Sequence, residues 1–120
     1  MAKVLVVDDS RLARAMLKDM LVKLGHQIVG EAEDAPQALE SFKSLAPEMV
    51  TLDLILPSGN GVEVLKAIRE INPYVKVIVV SASGQDALNK ELMDLGAQAI
   101  LRKPFTLDEF KVVVQKAFEK

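Results

Sequence analysis

Asp8 and Asp9 stand side by side after the aliphatic run Lys3-Val4-Leu5-Val6-Val7, and Asp53 closes a second run, Met49-Val50-Thr51-Leu52. If the two runs are neighbouring strands, their carboxylates meet at one edge of a sheet. Like charges in one cleft repel and lose hydration, which raises the pKa of at least one of them unless a cation intervenes. Oxygen ligands without His or Cys companions suit Mg2+, which keeps several waters and usually completes its octahedron with substrate phosphate oxygens. Ser81 ends the run Val77-Ile78-Val79-Val80 with a hydroxyl, and Lys103 ends the run that starts at Ala99 with an ammonium. A carboxylate can attack phosphorus to give an aspartyl phosphate. The charge on the three oxygens of the transferring group could be neutralised by Mg2+, Lys103 and Ser81. Asp53 is the nucleophile this set selects, leaving Asp8 and Asp9 to hold the metal.

Each residue also has an ordinary reading. Asp8 and Asp9 could cap a helix, Asp53 could end a strand in a turn, and Lys103 could be a solvated charge. Their joint placement on strand ends reverses these readings. Ser83 offers the same hydroxyl as Ser81. His26 follows Gly25 and reads as an exposed loop residue, the methionines at helical spacing as core filler, and Glu31 to Asp34 as a solvated loop. Gly59 and Gly61 match no spaced phosphate-loop fingerprint and are read as turning the backbone.

The elements that must position these residues follow from periodicity. Continuous aliphatic runs predict strands at Lys3 to Asp8, Gln27 to Ala32, Met49 to Asp53, Val75 to Ser81 and Ala99 to Arg102. Between the first two, Leu12, Met16, Met20 and Leu24 recur every four residues, seconded by Ala13, Leu17 and Leu21, between a start after Ser10 and a stop at Gly25. A second helix is expected near Asp34 and Pro36, burying Ala38, Leu39 and Phe42, and a third from near Gly61 to before Asn72-Pro73. The fourth, Asp86 to Leu95, carries only Leu88, Leu92 and Leu95 as its stripe and should be the most loosely held. The last opens with Thr106 and Glu109 in capping-box spacing. Alternating strands and helices define an α/β class with one parallel sheet, whose chemistry belongs at the C-terminal strand ends.

Composition narrows the functions. The 120 residues are half hydrophobic and lack Cys, so disulfides, thiolate metal sites and cysteine nucleophiles are excluded. One domain spanning residues 1–120 is expected. A net charge of -2 gives no reason to expect nucleic-acid binding, and no apolar run approaches the length of a membrane helix. The expectation is a cytoplasmic protein whose partners are proteins.

Taken together, Asp8-Asp9, Asp53 with Pro57 and Gly61, Ser81-Ala82 and Lys103-Pro104-Phe105 resemble the signature of a two-component response-regulator receiver domain. The resemblance covers essentially the whole chain, and its single-domain length is similar to the CheY-like chemotaxis type. It implies a flavodoxin-like fold with a five-stranded parallel sheet in the order 2-1-3-4-5 and five helices on both faces. It further implies that Asp53 accepts a phosphoryl group from a phosphohistidine. Mg2+ would be held by Asp9, Asp53 and the Ile55 carbonyl, with Asp8 acting through water. Lys103-Pro104 would be a cis peptide, and Ser81 would move to bond the phosphoryl group. The implied partners are a histidine kinase or phosphotransfer protein, a phosphatase, and a downstream protein bound through the fourth helix, fifth strand and fifth helix. Kinase docking is expected on the surface after Asp9, including Arg11 and Leu12.

Two positions depart from the pattern. Ile100 stands where the family has a switching aromatic, and its β-branched side chain has restricted rotamers and no hydroxyl. Ile55 occupies a position that tunes water access, and its apolar side chain should lengthen the phosphorylated lifetime. The resemblance implies a monomeric switch that performs only its own phosphorylation and dephosphorylation. A receiver cut from a larger regulator, such as a transcription factor, is the alternative. An aspartyl-nucleophile phosphatase is disfavoured, because it would need a second acid near the nucleophile and a cap over the substrate.

Overall fold

A computed structural model describes residues 2–57, 59–82 and 88–118. Along the chain run β1 (Lys3–Val7), α1 (Arg11–Lys23), β2 (Gln27–Ala32), α2 (Ala35–Leu45), β3 (Met49–Asp53), β4 (Ile55–Leu56), β5 (Gly59–Asn60), α3 (Gly61–Ile71), β6 (Lys76–Ser81), α4 (Asn89–Asp94), β7 (Ala99–Arg102) and α5 (Leu107–Ala117). Five strands pair in parallel in the order β2-β1-β3-β6-β7, which is 2-1-3-4-5 when the β4–β5 hairpin is set aside. That hairpin was not anticipated, since two-residue strands carry no periodicity.

Alternation along each strand divides the core. Leu5, Val7, Val50, Leu52, Val77 and Val79 share one cluster with α2, α3 and Leu92 of α4. Val4, Val6, Met49 and Ile78 pack on the other face with Leu17, Leu21, Phe110 and Val114. Full burial of such a side chain contributes roughly 1.5–3 kcal/mol. Asp8 and Asp53 continue the second alternation beyond the strand cores, toward the side of α1 and α5.

The helix ends have local causes. Ser10, Asp34, Asn60 and Thr106 each accept a bond from a first-turn amide, and Thr106 with Glu109 forms the expected capping box. In α1 the buried face is not the predicted leading stripe. Leu17 and Leu21 are buried, whereas Leu12 is 71% and Met16 52% exposed. A four-residue interval drifts around a helix of 3.6 residues per turn, so the row begun at Leu12 on the exposed side reaches the core only at Met20 and Leu24, which pack against the buried cluster. Met16 is therefore not core filler. In the fourth helix, Leu92 is buried as expected, and the predicted start at Asp86 and the alternative hydroxyl of Ser83 lie outside the described residues.

His26 also differs from its reading as an exposed loop residue. It is half-buried, stacks on Phe118 at 6.0 Å, and its Nδ1 accepts the Ala2 amide at 3.0 Å. Burial holds its pKa below the ordinary value. The segment read as a solvated loop starts inside β2, where Glu31 pairs with Arg14 and Lys18. The β1–β2 register slips between Val4 and Leu5, a bulge in edge strand β2.

Candidate functional site

Parallel pairing of β1 with β3 brings Asp8 and Asp53 to one edge, as the register Val7↔Leu52 requires. Asp8 is fully buried and fixed on all sides. Its amide donates to the Ala32 carbonyl at 3.0 Å, Oδ1 accepts the Ser10 amide at 2.9 Å, and Oδ2 accepts Lys103 Nζ at 2.9 Å. Asp53 is 8% exposed and less well served. Its Oδ2 lies 3.8 Å from Lys103 Nζ, and its Oδ1 receives the Ile55 amide at 3.5 Å. Burial foremost, then the charge of Asp8, pushes its carboxyl up to about 6, against the opposing pull of Lys103. Lys103 thus compensates Asp8 more closely than Asp53.

One carboxylate oxygen from each of Asp8, Asp9 and Asp53 lies within 4.8 Å of the others. Oxygens opposite one another on a Mg2+ octahedron are about 4.2 Å apart, twice the metal–oxygen bond. The three acids form an all-oxygen donor set close enough together to share one hard cation. Asp9 is exposed and faces solvent, while Asp8 and Asp53 form the buried floor. Residues that could hold a hard cation are thus present and short of positive charge.

Ser81 ends β6, one step beyond Val80, the register partner of Asp53, and is buried. Its carbonyl accepts the Lys103 amide at 2.7 Å, tying the ends of β6 and β7 together. The Lys103–Pro104 peptide is cis. Ile55, two residues after Asp53, is 60% exposed at the rim. Ile100 pairs with Val79 and packs half-buried against the cluster shared with α3 and α4.

The sequence does not reveal Arg14 or Thr51 as contributors, and it marks Gly61 only as turning the backbone. The N–H of Gly61 donates to the Leu54 carbonyl at 2.7 Å, and a Cβ there would meet the Asp53 carbonyl at 2.6 Å. Gly61 is needed for this close approach, whereas Gly59, with φ +138, serves the turn. Arg14 donates to the Asp8 carbonyl at 2.6 Å. Thr51, two residues before Asp53, is fully buried, and its Oγ1 has no partner among the described residues. An apolar cavity of about 190 Å³ lies between α1 and the segment after β7, lined by Met16, Met20, Pro104 and Phe105 and touching Lys103.

This fold and edge define a class of protein. Residues 4–115 match the response regulator receiver domain, and the chain belongs to that family. It is 43% identical over 103 residues to the chemotaxis protein CheY of Thermotoga maritima, covering 86% of each chain. With CheY of Bacillus subtilis it shares 37% identity over 114 residues, 95% of each chain. Among solved structures, the CheX–CheY–BeF3–Mg2+ complex from Borrelia burgdorferi superposes with a TM-score of 0.94 at 30% identity, covering 98% of this chain and 90% of that one.

Proposed function

We propose that the chain is a phosphorylation-dependent switch of the chemotaxis type, in which Asp53 takes a phosphoryl group from a phosphohistidine on a kinase or phosphotransfer protein. The observation that carries this reading is the buried, under-compensated Asp53 beside Asp8 and Lys103. An Asp53 oxygen bonds to phosphorus as the donor P–N bond breaks, and the imidazole leaves with the electron pair. Lys103 Nζ, within 3.8 Å of both buried acids, neutralises oxygens of the arriving group. Mg2+, held by Asp9, Asp53 and the Ile55 carbonyl with Asp8 through water, would supply further countercharge when bound. Hydrolysis of the acyl phosphate resets the switch, and the exposed Ile55 side chain limits the approach of water.

The donor docks on α1 next to the site, where Leu12 and Met16 are exposed and the apolar cavity reaches Lys103. Ser81 bonds the new phosphoryl oxygens and biases the face of α4, β7 and α5, to which the target protein binds. Ile100, packed at that junction, acts through bulk in place of a rotating aromatic ring. A phosphatase that shortens the signal fits the same exposed edge. The working form is a cytoplasmic monomer without nucleic-acid or membrane partners, and its only chemistry is on its own Asp53.

Incubation with acetyl phosphate and Mg2+, followed by intact-mass measurement, tests this. Wild type gains one phosphoryl group and Asp53→Asn gains none. A wild type that stays unmodified, or a variant that is modified equally, overturns the reading.

A further inference from the structure

Outside the acidic cluster, Arg14, Lys18 and Glu31 form a trio whose ion pairs are less exposed than the Lys23–Asp19 and Lys66–Glu63 pairs. Arg14 extends from the first turn of α1, and only 12% of its side chain is exposed. Its Nε donates to Glu31 Oε1 at 3.1 Å on β2, and its Nη1 donates to the Asp8 carbonyl at 2.6 Å at the end of β1. The second Glu31 oxygen accepts Lys18 Nζ at 2.7 Å. One planar guanidinium therefore joins the edge strand, the first helix and the backbone of the acidic loop. Lysine cannot reproduce that fork, because its donors diverge from one point.

The carbonyl that Arg14 holds belongs to the peptide unit joining Asp8 to Asp9. That unit is planar, so fixing its oxygen fixes the amide and Cα of Asp9 as well. Asp8 has three further anchors in Ala32, Ser10 and Lys103. Asp9 is exposed, and its direction follows from the peptide that leads into it. We infer that Arg14 is a positioning residue that aims the Asp9 carboxylate toward Asp53 by clamping the Asp8–Asp9 peptide. This rests on the reading of the acids as a Mg2+ site.

Positioning and simple charge predict opposite signs. A cation close to the acids repels a divalent ion, so removing it should tighten Mg2+ binding if charge were its only contribution. Losing a clamp on a ligand weakens binding, typically by at least tenfold when an outer partner of a metal ligand is removed. Glu31 sharpens the contrast. Neutralising it would expose the Arg14 charge and loosen the fork, so the sign at Arg14 is the decisive one.

Mg2+ binding is measured by isothermal titration calorimetry on the full chain for wild type, Arg14→Met, Arg14→Lys and Glu31→Gln, with thermal melting of each metal-free protein alongside. The expected result is Mg2+ affinity about tenfold weaker in Arg14→Met. Arg14→Lys, which keeps the charge and is the variant to read if Arg14→Met does not fold, should also bind Mg2+ more weakly than wild type. Affinity that is unchanged or tighter in the folded Met variant, or fully restored by Lys, overturns the inference. So does a lowered melting temperature with wild-type Mg2+ affinity. Acetyl phosphate labelling of wild type separates the two levels. A wild type that binds Mg2+ but takes no phosphoryl group defeats the functional reading while the Arg14 comparison still stands or falls on calorimetry. A wild type that binds no Mg2+ overturns both.

Discussion

Two corners of the sheet gather partly buried charge, on opposite terms. At the start of β6, Arg69 of α3 donates to the Val75 carbonyl at 2.6 Å, to Gln98 Oε1 at 2.9 Å and to the Gly96 carbonyl. Gly96 sits at φ +99, and a Cβ there would lie 2.6 Å from Arg69 Nε, so the backbone is shaped to receive the guanidinium. At the other end of the sheet, three acids share one nearby ammonium, and Asp53 is held at about 6 by burial and by Asp8. A charge whose hydrogen bonds are answered internally anchors the fold. One left short of compensation marks where something from outside must bind.

The contrast is broken most directly at Arg69. Arg69→Met leaves the Val75 and Gly96 carbonyls without their donor and should cost about 2 kcal/mol in urea unfolding, with Mg2+ binding unchanged. A loss of Mg2+ affinity there would erase the distinction between the corners. Asp53→Asn should act the other way. Its folded pKa, about 6, is raised above the ordinary 3.8, so the native state holds this proton more tightly than the unfolded chain. The stability that protonation contributes is complete below pH 3.8 and is lost as pH rises to about 6. Metal-free Asp53→Asn should therefore be more stable than wild type at neutral pH by on the order of 1–2 kcal/mol. Melting curves should show that gap closing toward pH 4, and shrinking when Mg2+ is added.

Thr51→Val sharpens the comparison within the core. Its hydroxyl is buried without a partner among the described residues, so the isosteric change should raise stability by about 1 kcal/mol in chemical denaturation. A destabilised variant would mean that the hydroxyl is answered in solution. The smallest effect is expected at the rim. Ile55→Asn should speed loss of the acyl phosphate about threefold, well under 1 kcal/mol of barrier, and following the decay of phosphorylated protein by mass reads this directly. Unchanged or slower decay would remove Ile55 from control of water.

Four of the five long strands were legible as aliphatic runs ending in or followed by a polar residue, β2 is the less regular Gln27–Ala32, and Ser10, Asp34 and Thr106 announced their helices through capping chemistry. Asp8, Asp9, Asp53 and Lys103 were legible together because a parallel sheet carries strand-end residues to one side. Arg14 and Arg69 were not, since each binds backbone carbonyl groups, which every residue possesses and no sequence pattern names. Gly61 was read as a turn residue because composition cannot distinguish a glycine chosen for φ from one chosen for lack of a Cβ. The exposure of Leu12 and Met16 escaped because two apolar rows on one helix compete for the same core.

The slip in register along β2 has a consequence for crowded solution. A sheet that does not close on itself exposes two rows of backbone donors and acceptors, and straight rows invite stacking by other chains. Here one border strand is bulged and the other, β7, is only four residues long. Neither makes a regular template for fibril growth, so the molecule can meet partners repeatedly through its helices without its borders fusing to theirs.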